Sequence, residues 1–354
     1  MSKRIARLLS LVLAAMLVLS LAACQKPQQS SGAESTKAAE GTTPEAKPSG
    51  DQIILRLAEI HVEDYPTTKA AYEMARLVEE RTNGRIKIEV YYGGQLGDEA
   101  SVIEQVQFGA IDMARVSLSP VTEHVSSLNV LQLPYIWRDS DHFWKVLKSD
   151  LGDSFLKSID DSDSGLIGLN WYDPGARNFL APFEINSVAD LKGKKVRVMQ
   201  SKLMMDMIEA LGASPVPIPA GEVYSSIQTG IVDCAENALP GYMSLSWNEV
   251  AKYYTLDEHQ RVPEITVMSK KTLEKLSAED QALIRQAAKE ATDFQISLWG
   301  DKEAADKKTA LEKGVVFIEV DEATKNGFYE AMSPLYKELN EEEKKIVEQI
   351  RNVQ

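Results

Sequence analysis

Residues 53–91 read IILRLAEIHVEDYPTTKAAYEMARLVEERTNGRIKIEVY, and the period of their apolar residues changes twice. Ile53 to Ile60 is a nearly unbroken apolar run. Thr67 to Glu80 brings Ala, Tyr, Met, Leu and Val back at helical spacing, and Asn83-Gly84 stops that pattern. Arg85 to Tyr91 then alternates charged residues with Ile and Val. A short apolar run, a 3.6-residue period, a turn and a two-residue period predict strand, helix and strand in succession. Two strands joined through a helix lie parallel. The stretch therefore predicts the β-α-β unit of an α/β fold.

The same alternation continues toward the C-terminus. Asp98 to Phe108 reads as a helix ended by Gly109, and Ile111 to Val116 as a strand. Leu166 to Trp171 and Lys195 to Met199 read as later strands, and Ser201 to Leu211 as a helix closed by Gly212. Recurrence of the pattern predicts α/β layers with a largely parallel sheet in each of two lobes. Ser277-Ala-Glu-Asp280 has the form of a capping box, and Leu283, Ala287, Ala291, Phe294, Leu298 and Ala305 carry a helical stripe on to Lys313-Gly314. At 1.5 Å per residue such a helix spans about 50 Å, enough to touch both lobes as a shared spine. The alternative is a helix pair broken near Gly300, because glycine is unfavourable inside a helix. Val315 to Val320 gives a late strand and Glu322 to Asn352 further helices. Two lobes joined by crossing segments create a cleft, a favoured place for small ligands.

Toward the N-terminus the pattern stops at residue 52. Lys3, Arg4 and Arg7 precede a 16-residue apolar run, Leu8 to Ala23, which closes as Leu21-Ala22-Ala23-Cys24. That is an export signal, residues 1–23, and it falls short of the roughly 20 residues a spanning helix needs. Small residues before Cys24 look like a lipobox, in which the thiol is lipidated and becomes the first residue. Gln25 to Gly50 holds no Ile, Leu, Val, Met, Phe, Tyr or Trp. Residues 24–51 are therefore expected to be a disordered, lipid-anchored linker.

Lys plus Arg total 39 against 53 Asp plus Glu, a net charge of −14 that would repel a nucleic-acid backbone. Two cysteines, Cys24 and Cys234, are too few for a disulfide framework or a four-thiolate zinc site. No phosphate-cradling glycine loop, H-E-x-x-H, C-x-x-C or G-x-S-x-G occurs. The four histidines, His61, His124, His142 and His259, are not spaced as a metal pair. No metal, cofactor or catalytic group is expected. Three residues stand out instead. Arg177 follows the turn Asp173-Pro-Gly-Ala, Arg197 lies inside Val196-Arg-Val198, and Asn237 ends Val232-Asp-Cys-Ala-Glu-Asn237. An arginine buried between valines needs an acceptor, and a ligand carboxylate suits its planar fork. A structural salt bridge would satisfy it equally, and spacing leaves both readings open.

Several segments in order resemble the substrate-binding proteins of tripartite ATP-independent periplasmic (TRAP) transporters, the DctP-like family of organic-acid binders. They are Gly84-Arg-Ile-Lys-Ile-Glu-Val90, Gly94-Gln-Leu-Gly97, Gly109-Ala-Ile-Asp-Met113, Leu191-Lys-Gly-Lys-Lys-Val-Arg-Val198, Glu222-Val-Tyr224 and Gln228-Thr-Gly-Ile-Val-Asp-Cys-Ala-Glu-Asn237. The resemblance implies a two-lobed, type II periplasmic-binding-protein-like α/β fold with hinge strands and a long helix across both lobes. On that pattern residues 52–174 with 263–302 form lobe I, and 175–262 with 303–354 form lobe II. It implies that Arg197 grips a ligand carboxylate through two parallel hydrogen bonds, with Arg177 and Asn237 as further carboxylate contacts. Glu99 and Ser117 match positions that reach the ligand's polar far end, and His61, Arg115, Gln200, Tyr224 and His259 are additional candidates. Tyr172-Asp-Pro-Gly-Ala-Arg177 and Arg197-Val-Met-Gln-Ser201 resemble the uronate branch, while the bulky aromatic of the sialic acid branch is missing near Pro219-Ala220. The implied ligand is a sugar acid such as glucuronate or galacturonate, with C4-dicarboxylates second. The implied role is capture by lobe closure and delivery to a TRAP permease in the membrane; with the lipobox at Cys24, an exported, lipid-anchored monomer is expected. A secreted sugar-acid enzyme using His61 or His259 with Glu99, and a subunit serving a sensor receptor, are the competing readings.

Overall fold

The computed structural model describes residues 52–354; the expected export signal, Cys24 and the expected 24–51 linker lie outside the described residues. The opening stretch folds as its periodicity predicts. Strand β1 (Ile53–Glu59) and strand β2 (Ile86–Tyr91) flank the helix Pro66–Arg81 and pair in parallel. Asn83 and Gly84 both take left-handed backbone at the helix exit.

Five strands make the first sheet, in the order β2-β1-β3-β10-β4, with β3 at Met113–Ser117, β4 at Leu166–Tyr172 and β10 at Glu264–Ser269. The second sheet runs β11-β9-β5-β8, with β5 at Arg177–Ala181, β8 at Ala235–Ala238, β9 at Tyr253–Gln260 and β11 at Val316–Ile318. A third, two-stranded parallel piece, β6 (Lys195–Val198) and β7 (Ser214–Pro217), joins the second lobe through a bridge between Val196 and Cys234.

Neither sheet is as parallel as the β-α-β pattern predicts. β10 runs antiparallel to both β3 and β4, and β5 runs antiparallel to both β8 and β9. The chain crosses between the sheets twice, from β4 to β5 and from β9 to β10. β4 leaves the first sheet at the crossing and β10 enters it there, so the two must oppose one another. β5 and β9 oppose each other in the second sheet for the same reason.

The long helix is a single unbroken element, Ala278–Glu312, started by the Ser277 hydroxyl, which accepts the Asp280 N–H at 3.1 Å. Its 35 residues span about 52 Å. Gly300 is tolerated because it is exposed, with open space where a side chain would go. One end of this helix packs on Pro66–Arg81 and β4, and the other on the helix Leu239–Ser244 in the second lobe. Midway it braces the crossing: Gln295 donates to the Asp173 carbonyl at 2.9 Å. Gly175 beside it has φ +87°, and a side chain there would meet Trp299 and Glu303 at 3.1 Å.

The 303–354 segment, assigned by pattern to lobe II, divides between the lobes. The helix Glu322–Met332 packs on β9, whereas the helix Glu341–Asn352 packs on the 126–132 turn of the first lobe. The reason is its amphipathic face: Val347 and Ile350 join a core that contains Leu128, Val130 and Trp137. The Tyr336 hydroxyl bonds the Pro134 carbonyl at 2.7 Å in the same interface.

Candidate functional site

The polar residues that matter sit where strands end at the crossing. Glu59 closes β1, Ser117 closes β3, Glu264 opens β10, Arg177 opens β5, and Asn237 lies one residue from the end of β8. Register holds them together: Glu264 pairs with Ser117, Glu59 with Arg115, and Asn237 with Asn178. Strand ends at a change of direction leave a crevice that flanking side chains must line. Its inner part, about 30 Å³, is lined by His61, Glu99, Ser117, Arg177, Arg197 and Asn237, among others. It shares Glu99, Arg197, Met199 and Ala220 with an outer part of about 400 Å³ that Gln200 and Glu222 also line. The inner volume suits a group with the bulk of one or two waters, such as a carboxylate. The outer volume has room for a sugar-sized body. Opposite lobes touch at its edge, where the Ser117 hydroxyl lies 3.2 Å from Met199 Sδ and the Lys202 N–H donates to Glu123 at 2.8 Å.

On the second-lobe wall the two arginines differ. Arg177 is committed to Glu236: Nε and Nη2 both reach its carboxylate, and Nη2 also donates to the Glu236 carbonyl at 3.0 Å. Burial disfavours the Arg177 charge, but the Glu236 carboxylate more than restores it, and its pKa is raised. Burial likewise works against the Glu236 charge, yet Arg177 and His259 hold its pKa down at about 2. His259 stands between Glu236 at 3.8 Å and Asp257 at 2.7 Å; these carboxylates outweigh its burial and lift it to about 9. Four alternating charges thus back the wall. Nη1 of Arg177 donates to Asn237 Oδ1 at 3.2 Å, and the Ala238 N–H donates to the same oxygen at 2.8 Å. With Oδ1 taken by two donors, the amide NH₂ of Asn237 is the side left for the cavity.

Arg197 has no such partner. Its Nε donates to the Ile218 carbonyl at 2.7 Å and its guanidinium lies 5.4 Å from the Trp247 ring centre. Among the described residues no carboxylate lies within ion-pair distance of it. It is 3% exposed, and burial pulls its pKa down to about 10. A buried guanidinium in a cavity wall, with its donor fork unclaimed by the protein, is a seat for an anion.

The family description "Bacterial extracellular solute-binding protein, family 7" (DctP) matches residues 57–343. The chain belongs to this family. A solute-binding protein of Chromohalobacter salexigens is 36% identical over 296 residues, covering 83% of this chain and 87% of that protein. Among solved structures, a TRAP periplasmic solute-binding protein of Pseudomonas putida F1 with bound D-glucuronate superposes with a TM-score of 0.83 at 38% identity. The match covers 85% of this chain and 98% of that one. Another from Bradyrhizobium sp., in complex with galacturonate, gives a TM-score of 0.82 at 40% identity over 84% and 99%. The neighbours are TRAP solute-binding proteins of the uronate branch, and the two-lobed fold with its spine helix is theirs.

Within this solute-binding fold the sequence-selected residues separate into three groups. Arg197, Arg177, Asn237, Glu99, Ser117, His61 and Gln200 line the two parts of the cavity. Arg115 and His259 do not: both are fully buried one layer behind it, because each is the countercharge of its wall's carboxylates. Tyr224 lies away from the cavity, its hydroxyl on Glu249 at 3.2 Å, because the helix Val223–Gln228 turns that face toward the core around Trp247. Arg115 bonds Glu59 through Nε at 2.8 Å and through Nη2, and its Nη1 is 2.9 Å from Glu264 and 3.9 Å from Glu99. Glu99 in turn accepts the Ser117 N–H at 2.6 Å, and burial raises its pKa against the pull of Arg115.

Sequence reasoning passes over four contributors. Glu59, Glu236 and Glu264 are single carboxylates among 53 acidic residues, with nothing local to mark them. Gly241 is the fourth. A β-carbon there would lie 2.8 Å from Asn237 Nδ2 and 3.0 Å from Oδ1, so the glycine is what leaves space for the amide. The signal available was a glycine four residues after the candidate Asn237, inside a short helix that starts with Leu239-Pro240.

Proposed function

We propose that this chain captures a hexuronate, D-glucuronate or D-galacturonate, in the cleft between its lobes and delivers it to a TRAP-type membrane permease. The observation that carries the reading is Arg197: a buried cation on the cavity wall whose two terminal nitrogens have no carboxylate among the described residues. The ligand carboxylate takes the Arg197 fork and the Asn237 amide, with Arg177 holding that amide in place. The sugar hydroxyls reach across to Glu99, Ser117 and Gln200. Groups from opposite lobes contribute to one cavity, so a bound acid favours the closed arrangement by the contacts it makes only there. The uronates bound in the Pseudomonas and Bradyrhizobium proteins support this ligand class. No turnover belongs to the reading: the acid is returned unchanged. The protein acts outside the cytoplasm as a lipid-anchored monomer, held at Cys24.

Thermal-shift and calorimetric titration with D-glucuronate, D-galacturonate, succinate and malate test the ligand, because an acid that binds only the folded state raises Tm. A uronate that raises Tm at micromolar concentration and is recovered intact supports the proposal. No uronate effect at millimolar concentration removes it. The anchor is tested separately: Cys24→Ser should move the protein out of the membrane fraction and leave ligand affinity unchanged.

A further inference from the structure

The geometry points to the first-lobe wall as a filter that rejects a second carboxylate, limiting the ligands to monoanionic polyhydroxy acids and excluding dicarboxylates and aldarates. This rests on the uronate reading above and sharpens it. Three carboxylates, Glu59, Glu99 and Glu264, share one guanidinium, that of Arg115. Even with His61 protonated, 3.8 Å from Glu264, one negative charge is left over. The surplus falls on Glu99. Glu59 takes two nitrogens of Arg115 and Glu264 the third at 2.9 Å, while Glu99 stands 3.9 Å away and lines both parts of the cavity. The outer part adds Asp98 on the first lobe, with Glu222 at the edge of the second, and among the described residues Arg197 is the sole arginine or lysine lining it. Glu99 also opens the helix Glu99–Phe108, where the end charge of the helix favours a carboxylate in its ionised form.

The cleft is therefore polarised across its width, with an unpaired cation on the second lobe and surplus carboxylates on the first. A uronate fits this field. Its carboxylate meets Arg197, and its hydroxyls donate to Glu99, whose Oε1 accepts the Ser117 N–H and whose Oε2 has no donor among the described residues. A second carboxylate pointed at the first lobe would instead lose its water to face Glu99, and like charges placed together discriminate strongly between partners. On this view Glu99 has two effects: it accepts a sugar hydroxyl, and it excludes anions that would otherwise be held at Arg197.

Galactarate is the decisive probe, because it carries a carboxylate where galacturonate carries its C1 hemiacetal. Titration calorimetry on the mature protein should give galactarate and succinate at least about 100-fold weaker than galacturonate. Glu99→Gln keeps the shape and removes the charge, and should narrow the galacturonate-to-galactarate ratio by about tenfold or more, while Glu99→Asp should leave it within about threefold of wild type. Ligand-free melting of each variant checks the fold. Should Glu99→Gln lose galacturonate altogether, the ratio is read on Asp98→Asn, the other first-lobe acid at the mouth, where asparagine can still cap the helix and a smaller narrowing is expected. Galacturonate binding with an unchanged ratio in the charge-removed variant overturns the filter and leaves the uronate reading standing. A wild-type protein that takes galactarate or succinate in preference to galacturonate overturns both.

Discussion

Arg115 and Arg197 are both buried arginines on strands that end at the cleft, one in each lobe, and their surroundings are opposite. Around Arg115 three carboxylates converge; around Arg197 there is a carbonyl on Nε and an indole face. A buried charge with partners is part of the fold, and removing it strands the groups it neutralised. A buried charge without partners works against the free protein and is retained where a ligand completes it. The same residue type is thus a structural centre on one wall and a ligand seat on the other, and the difference lies in which carboxylates the chain brings alongside.

The largest effects should come from deleting each cation in turn. Arg115→Leu leaves three carboxylates, Glu59 and Glu264 among them buried, without their guanidinium and should cost about 3–5 kcal/mol, a fall in ligand-free Tm of roughly 5–15 °C. Arg197→Leu should leave ligand-free Tm unchanged or higher, since it removes an unpaired buried charge, and should abolish uronate binding. Melting curves that rank the two variants the other way would reverse the assignment of the walls.

Next in size is Arg197→Lys, which keeps the sign and loses the planar fork. Breaking one side of a desolvated charge pair costs about 2–5 kcal/mol, and a misplaced ammonium recovers only part of it, so affinity should fall about 30-fold or more. Ligand-free Tm should stay near wild type. Wild-type affinity in this variant would mean that a point charge suffices and the bidentate grip is wrong.

The contrast between the two arginines was out of reach of the sequence, and the reason is distance along the chain. Arg115 and Arg197 sit in similar apolar strands, and the carboxylates that distinguish them come from elsewhere: Glu59, for one, is 56 positions from Arg115. What local periodicity encodes was legible. The 53–91 unit, the cap at Ser277 and the spine helix all depend on neighbours within a few residues. The antiparallel insertion of β10 was not, because its direction follows from the second crossing between sheets, which no local pattern records. Arg197 and Asn237 stand out by local chemistry, but their roles, and Glu99 altogether, come from the family resemblance, which supplies this long-range information indirectly. The same carry-over misplaced Tyr224, whose helix turns it toward Glu249.

The charge chain behind the second wall has a pH signature. His259 is raised to about 9 by Asp257 and Glu236 despite burial, so its contribution is complete below its unfolded pKa near 6.5 and is lost as pH rises through 9. Glu236, held at about 2, contributes fully above about 4.5 and loses that contribution as pH falls through 2. Between pH 5 and 6.5 both are in place. From pH 6.5 to 9.5 stability should decline by about 1–3 kcal/mol, and His259→Gln should flatten that decline while lowering Tm at pH 6. A wild-type Tm constant across this range, or a slope unchanged in His259→Gln, would show that the histidine is neutral and the chain carries one charge fewer.

The smallest effect tests the wall at its finest point, the space beside Asn237. Gly241 lies in the helix Leu239–Ser244 with ordinary helical backbone, so alanine is compatible with its conformation and should stabilise the chain by about 0.4–1 kcal/mol. The added carbon meets the Asn237 amide at 2.8 Å, too close for both to stay. Because the amide is the far end of a movable side chain, it shifts at little expense to the fold. It does lose its alignment with Arg177 Nη1, the contact that turns its NH₂ toward the cavity. Gly241→Ala should therefore raise ligand-free Tm slightly while weakening uronate binding by about five- to tenfold, a net of roughly 1 kcal/mol. The two signs together separate a positioning role from general damage, which would lower both. A double-mutant cycle completes the argument: in an Asn237→Ala background the extra methyl has no amide to displace, and Gly241→Ala should then leave affinity unchanged. If the loss persists without the Asn237 side chain, the glycine acts on the cavity by another route and Asn237 is not its intermediary.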